Sequence, residues 1–136
     1  MPETRILVID DHQNWQKKLP EILERLGNGV QIDVAANYEA ALGYINSQTY
    51  HLATVDLSLV RDPYAPKSLH LLGVELIQAF RASQNNANCR LIILTGYPIP
   101  TDAKQMLHNY RIVDFIDKGE FDSYAFIEVA RKAILL

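Results

Sequence analysis

Residues 5–11 read RILVIDD, four apolar side chains from Ile6 to Ile9 closed by the adjacent acids Asp10 and Asp11. A short unbroken apolar run is the pattern of a strand covered on both faces; a half-exposed strand alternates, and a helix spaces its apolar residues three and four apart. Two later stretches repeat the arrangement. His51–Asp56 (HLATVD) again ends in an acid, and Arg90–Thr95 (RLIILT) ends in a hydroxyl. Val113–Asp117 gives a fifth strand. Gln31–Ala36 alternates, with Ile32 and Val34 on one face and Gln31 and Asp33 on the other, which suits an edge strand.

Helical periodicity fills the intervals. Trp15, Leu19, Ile22, Leu23 and Leu26 recur at helical spacing, with Pro20 inside the run and Gly27 and Gly29 ending it. A proline there removes one backbone bond and predicts a kink. Asn37 is a good cap for a second helix through Ala41, Leu42 and Ile45. Leu72, Leu76, Ala79 and Phe80 mark a third, and Ala103, Met106, Leu107 and Tyr110 a fourth. Asp122 can cap the fifth, with Phe121 and Phe126 spaced as a hydrophobic staple. Five strands alternating with five helices require a parallel sheet covered on both faces. The whole chain, 1–136, is expected to be one domain.

Composition narrows the partners. Thirteen basic and sixteen acidic residues leave a net charge of -3, which argues against broad binding to nucleic acid or to an anionic membrane. No apolar stretch is long enough to span a bilayer, and the N-terminus lacks the basic-then-apolar pattern of a secretory signal. Cys89 is the only cysteine, so no internal disulfide forms and a reducing, cytoplasmic setting is expected. By itself Cys89 reads as a small apolar residue beside a strand start.

In an open parallel sheet, ligands bind beyond the carboxyl ends of the strands. The first strand delivers Asp10 and Asp11 to that edge, the third Asp56, the fourth Thr95 and the fifth Lys118. Each has an ordinary explanation alone: acids start helices, threonine before Gly96 forms a turn, and a lone lysine is a solvated one. Their convergence is harder to explain that way. Three gathered carboxylates repel one another unless a cation neutralises them. Oxygen ligands with open positions suit Mg²⁺. A carboxylate can attack phosphorus, and phosphoryl transfer needs mainly positioning and charge neutralisation.

On these residues the sequence resembles the receiver domain of two-component response regulators. The resembling stretches are Leu7–Asp11 (LVIDD), Thr54–Leu57 (TVDL), Leu72–Leu76 (LGVEL), Ile92–Tyr97 (IILTGY) and Phe115–Lys118 (FIDK), and the likeness runs over essentially the whole chain. It implies a flavodoxin-like, doubly wound α/β fold with strand order 2-1-3-4-5. It further implies that Asp56 is the phosphoacceptor and that Asp11 ligates Mg²⁺ directly, while Asp10 acts largely through water. The backbone carbonyl of Ser58 would be a further metal ligand. Lys118 would contact phosphate, Thr95 would be the switch hydroxyl, and Phe115 the aromatic that turns on activation. The surface that changes would be the fourth helix, fifth strand and fifth helix. Implied partners are a sensor histidine kinase or phosphotransfer protein, a downstream effector or fused output domain, and a second copy in a homodimer. Self-catalysed phosphorylation and dephosphorylation would be the only enzymatic character.

Three departures accompany the resemblance. The connection after Asp56 is about nine residues longer than the family's usual one, with Pro63 and Pro66 in the 61–71 loop, and Gly73 takes the place of the glycine near the next helix. Lys118 is followed by Gly119 rather than proline, which implies looser placement of the lysine. No output domain follows, leaving a stand-alone receiver and an excised module both open. His12 reads as a residue at the helix start rather than one that tunes the site, and His51, His70 and His108 form no motif. The enzymatic alternative, an aspartyl-phosphate-forming phosphatase or phosphotransferase of the haloacid-dehalogenase type, needs a second acid two residues after the nucleophile, where this chain has Ser58.

Overall fold

The structure is a computed structural model that describes residues 3–57, 72–96, 105 and 108–135. Five strands, β1 (Thr4–Ile9), β2 (Val30–Ala35), β3 (Leu52–Val55), β4 (Arg90–Thr95) and β5 (Ile112–Asp117), form one sheet in the order β2-β1-β3-β4-β5. Every pairing is parallel, as the alternation of strands and helices requires. The described helices are α1 (Gln13–Leu23), α2 (Tyr38–Ser47), α3 (Leu72–Ala82) and α4 (Ser123–Leu135). The helix expected through Ala103–Tyr110 falls largely outside the described residues, so four of the five expected helices are seen.

Strand alternation sorts the core into two layers. Ile6 and Val8 of β1, with Leu52, Ile92 and Leu94, face Leu19, Ile22 and Leu23 of α1 and Phe126, Ala130 and Ala133 of α4. Leu7 and Ile9, with Ala53, Val55, Leu91 and Ile93, face Ala41 and Ile45 of α2 and Leu76, Ile77 and Phe80 of α3. Both faces of β1 are therefore dry, which is why its run carries no polar residue before Asp10. Each such aliphatic side chain stabilises the fold by about 1.5–3 kcal/mol. β2 is an edge, as its alternation predicts, with Val30, Ile32 and Val34 on the α1/α4 side.

Local chemistry sets the helix ends. Asn37 Oδ1 accepts from the Ala40 amide at 2.8 Å, capping α2. Asp122 Oδ1 accepts from the Tyr124 amide at 3.1 Å, and the Phe121 and Phe126 rings lie 5.4 Å apart, completing the staple at the start of α4. α1 runs through Pro20 and tightens into a 3-10 turn at Glu24–Leu26 before Gly27, whose φ of 145° turns the chain. Among the described residues no helix is long and apolar enough to cross a membrane.

Candidate functional site

The pairing of β1 with β3 brings two acids together. Ile9 pairs with Val55, and one residue further the Asp56 amide donates to the Ile9 carbonyl at 3.1 Å. The Asp10 amide donates to Ala35 of β2 at 3.1 Å, and the Asp10 carbonyl accepts from Gln16 Nε2 at 2.9 Å. Asp10 and Asp56 are thus fixed by backbone on neighbouring strands, each only 1 % exposed. Asp11, at the turn into α1, is partly open to solvent.

Lys118 arrives from the opposite side of the cleft. Its Nζ lies 2.7 Å from Asp10 Oδ2 and 3.2 Å from Asp56 Oδ2, with the side chain 7 % exposed. The expected looseness of Lys118 is corrected here. Lys118–Glu120 is a 3-10 turn started by Asp117, whose Oδ1 accepts from the Gly119 amide at 2.7 Å. That bond fixes the backbone, and the two carboxylates fix the ammonium. The lysine stem also passes over Gly96, and Nζ stands 5.2 Å from the centre of the Trp15 ring. Trp15 packs edge-on against Phe121 at 5.0 Å, forming an aromatic wall that the sequence pattern presented only as an apolar helix position.

Burial is the largest cause acting on Asp10 and lifts its carboxyl above the ordinary 3.8, with the neighbouring charge of Asp56 adding to it. The Lys118 hydrogen bond and the His12 amide oppose that rise without cancelling it. The site thus holds more negative charge than its one lysine neutralises.

The donor set fits a hard divalent cation. One ligand atom from each of Asp10, Asp11, His12 and Asp56 falls within 4.8 Å of all the others. Asp11 Oδ1 is buried with no hydrogen bond among the described residues, its ion-pair contact being His12 Nδ1 at 3.0 Å. Carboxylates grouped in this way suit Mg²⁺. The expected Ser58 ligand lies outside the described residues.

Thr95 ends β4, buried, two residues past Ile93, the last partner of β3 on that strand. Opposite it in the β4–β5 ladder stands Asp117, next to Lys118. Phe115, on the edge strand β5, is half-buried and packs against the α2/α3 core layer. All the expected side chains within the described residues therefore gather at the carboxyl edge of the sheet or on the adjoining strand. Sequence reasoning set His12 aside, yet its Nδ1 lies 3.2, 3.0 and 3.6 Å from oxygens of Asp10, Asp11 and Asp56.

Comparison with known proteins agrees with this fold. The fold matches the signal receiver domain of a two-component histidine kinase from Clostridium thermocellum at 17 % identity and a TM-score of 0.79, covering 98 % of each chain. It also matches the receiver domain of a sensor histidine kinase from Pseudomonas aeruginosa PAO1, with a magnesium ion coordinated in its active-site cleft, at 19 % identity and a TM-score of 0.75, over 98 % of this chain and 99 % of that one. A response regulator from Burkholderia pseudomallei, with a phosphorylated aspartic acid, a calcium ion and citrate, matches at 22 % identity and a TM-score of 0.74, over 98 % of this chain and 69 % of that one. No curated protein sequence matches significantly. The model of the response regulator receiver domain matches residues 6–129, and the chain belongs to that family.

Proposed function

We propose that this chain is a single receiver domain whose Asp56 accepts a phosphoryl group from a sensor histidine kinase or phosphotransfer protein, or from a small acyl phosphate. The observation that carries the reading is the bridge of Lys118 Nζ between Asp10 and Asp56, beside the Asp11 carboxylate. An Asp56 carboxylate oxygen attacks phosphorus, and the bond from phosphorus to the donor's nitrogen or oxygen breaks with its electron pair leaving on the donor. Asp10, Asp11 and Asp56, with the Ser58 carbonyl, would hold Mg²⁺, which supplies positive charge against the carboxylates and the phosphoryl oxygens.

The chain's own groups divide the remaining work. Lys118 transfers its contact from the bare Asp56 carboxylate to a phosphoryl oxygen, so its charge follows the group being transferred. The Thr95 hydroxyl donates to another phosphoryl oxygen, and Phe115 repacks into the space Thr95 leaves. The surface beside β5 then reports the change to an effector, an output domain or a second copy. A fifth helix between β4 and β5 belongs to this reading, because strands paired in parallel need a crossover between them. A cytoplasmic location belongs to it too.

Incubation with acetyl phosphate and Mg²⁺, followed by intact-mass spectrometry, tests the reading. One phosphoryl group per chain is expected, and none on Asp56→Asn. Normal labelling of that variant would overturn the assignment.

A further inference from the structure

His12 is the nitrogen donor in a cluster whose other members are carboxylates. We propose that its imidazole is a ligand of the divalent cation and biases the site toward first-row transition metals; this rests on the receiver reading above.

Three observations support it. His12 Nδ1 faces all three acids at once, 3.2 Å from Asp10, 3.0 Å from Asp11 and 3.6 Å from Asp56, so a donor atom already stands in the space the carboxylates share. The backbone holds it there: the His12 amide donates to Asp10 Oδ1 at 2.9 Å, fixing the Cα against a metal ligand. The ring also has no competing duty in the helix. His12 occupies the cap position of α1, but its side chain makes no capping hydrogen bond. With the side chain 55 % exposed, the ring can shift toward a cation without leaving a packed core.

The chemistry then sets the bias. A neutral imidazole carries its proton on Nε2 when Nδ1 ligates, and any proton on Nδ1 passes to solvent. Imidazole nitrogen adds little to the hold on Mg²⁺, which prefers oxygen and keeps its waters, but much to the hold on Ni²⁺ or Zn²⁺. A site of carboxylates alone already ranks these metals in the same order. The signature of His12 is therefore a change in the ratio of affinities.

Trp15, the only tryptophan, stands 5.2 Å from Lys118 Nζ and reports the site by fluorescence. Wild type, His12→Ala and His12→Asn are titrated separately with Mg²⁺ and Ni²⁺. Both variants are expected to bind Ni²⁺ about tenfold or more weakly while Mg²⁺ affinity changes less than about threefold. An unchanged Ni²⁺:Mg²⁺ ratio in either variant would overturn the inference. So would Ni²⁺ quenching that survives Asp11→Asn, since the metal would then sit elsewhere. Labelling of wild type by acetyl phosphate and Mg²⁺ is measured alongside. If labelling is present and the ratio is unchanged, the inference alone fails; if labelling is absent, the receiver reading fails with it.

Discussion

Gly73 lies so close to the backbone of Asp56 that a β-carbon on it would stand 2.7 Å from the Asp56 carbonyl oxygen and 2.6 Å from the Leu57 Cα. Both contacts are with backbone, which cannot rotate aside. The start of α3 and the end of β3 are therefore packed without space for one methyl group. Gly73→Ala should push Asp56 out of register with Asp10 and Lys118. The expected cost is about 1–3 kcal/mol in urea denaturation, with acetyl phosphate labelling slowed by up to ~100-fold for a misplacement on the order of 1 Å. Unchanged labelling would show that the acceptor does not depend on this contact.

A second constraint lies at the other end of the sheet. Asn86 is fully buried; its Nδ2 donates to the Ile45 and Gln48 carbonyls, both at 2.7 Å, and its Oδ1 accepts from the Tyr50 amide at 2.7 Å. One side chain thus ties the end of α2 to the start of β3 and to the turn before β4. Asn86→Ala takes the side-chain partner from two buried backbone groups, the Tyr50 amide and the Ile45 carbonyl, and from the part-buried Gln48 carbonyl, and a loss of about 2–4 kcal/mol is expected. Because the site lies at the opposite edge, labelling per folded molecule should stay at the wild-type level, and a fall in it would contradict this division of roles.

The parallel sheet and the acids on its edge were legible because each rests on a local pattern. Runs such as Ile6–Ile9 need only their neighbours in sequence to read as doubly buried, and a strand's last residue marks where its side chain emerges. Asn86 carries no such mark. It follows Ser83, Gln84 and Asn85 in what reads as an ordinary turn, and only the fold brings Ile45, Gln48 and Tyr50 around it. Arg81 is similar: its guanidinium donates to the carbonyls of Ala87, Cys89, Tyr110 and Arg111, none of them visible from a helix pattern. His12 is hard to read for a different reason. Its position at the start of a helix is a local property, but the reach of its ring depends on where β3 sits beside β1. Lys118 is a similar case, since Asp117 supplies a turn that does not need proline.

Cys89 should be chemically quiet in the folded protein. Burial pushes its thiol up to about 12 from the ordinary 9.0, with Arg81 and Arg90 opposing weakly. At pH 8 this leaves roughly a thousandfold less thiolate than a free cysteine would have. Reaction with a disulfide reagent should therefore be very slow in the native protein and fast in urea. Comparable native and unfolded rates would place the thiol in solvent.

The lifted carboxyl of Asp10 carries a stability consequence when divalent cations are chelated. The folded state holds that proton more tightly than the unfolded chain, whose carboxyl titrates at its ordinary 3.8. The charged, buried form is thus a cost to folding, fully present above the folded-state pKa, shrinking as pH falls through it and absent below 3.8. Asp10→Asn removes the charge but keeps the shape, and Lys118 retains Asp56 at 3.2 Å as its partner. In EDTA at pH 7 the variant should be more stable than wild type by about 1 kcal/mol or more, the sense seen when buried charges are replaced by neutral groups of similar size. Its advantage should narrow as the pH is lowered toward 4. Added Mg²⁺ should reverse the ranking, because the cation repays the cost of Asp10 only where the carboxylate is present. Thermal melts of both proteins at two pH values, with and without Mg²⁺, give the comparison. A variant less stable than wild type in EDTA would mean that the 2.7 Å bond from Lys118 to Asp10 outweighs the burial of its charge.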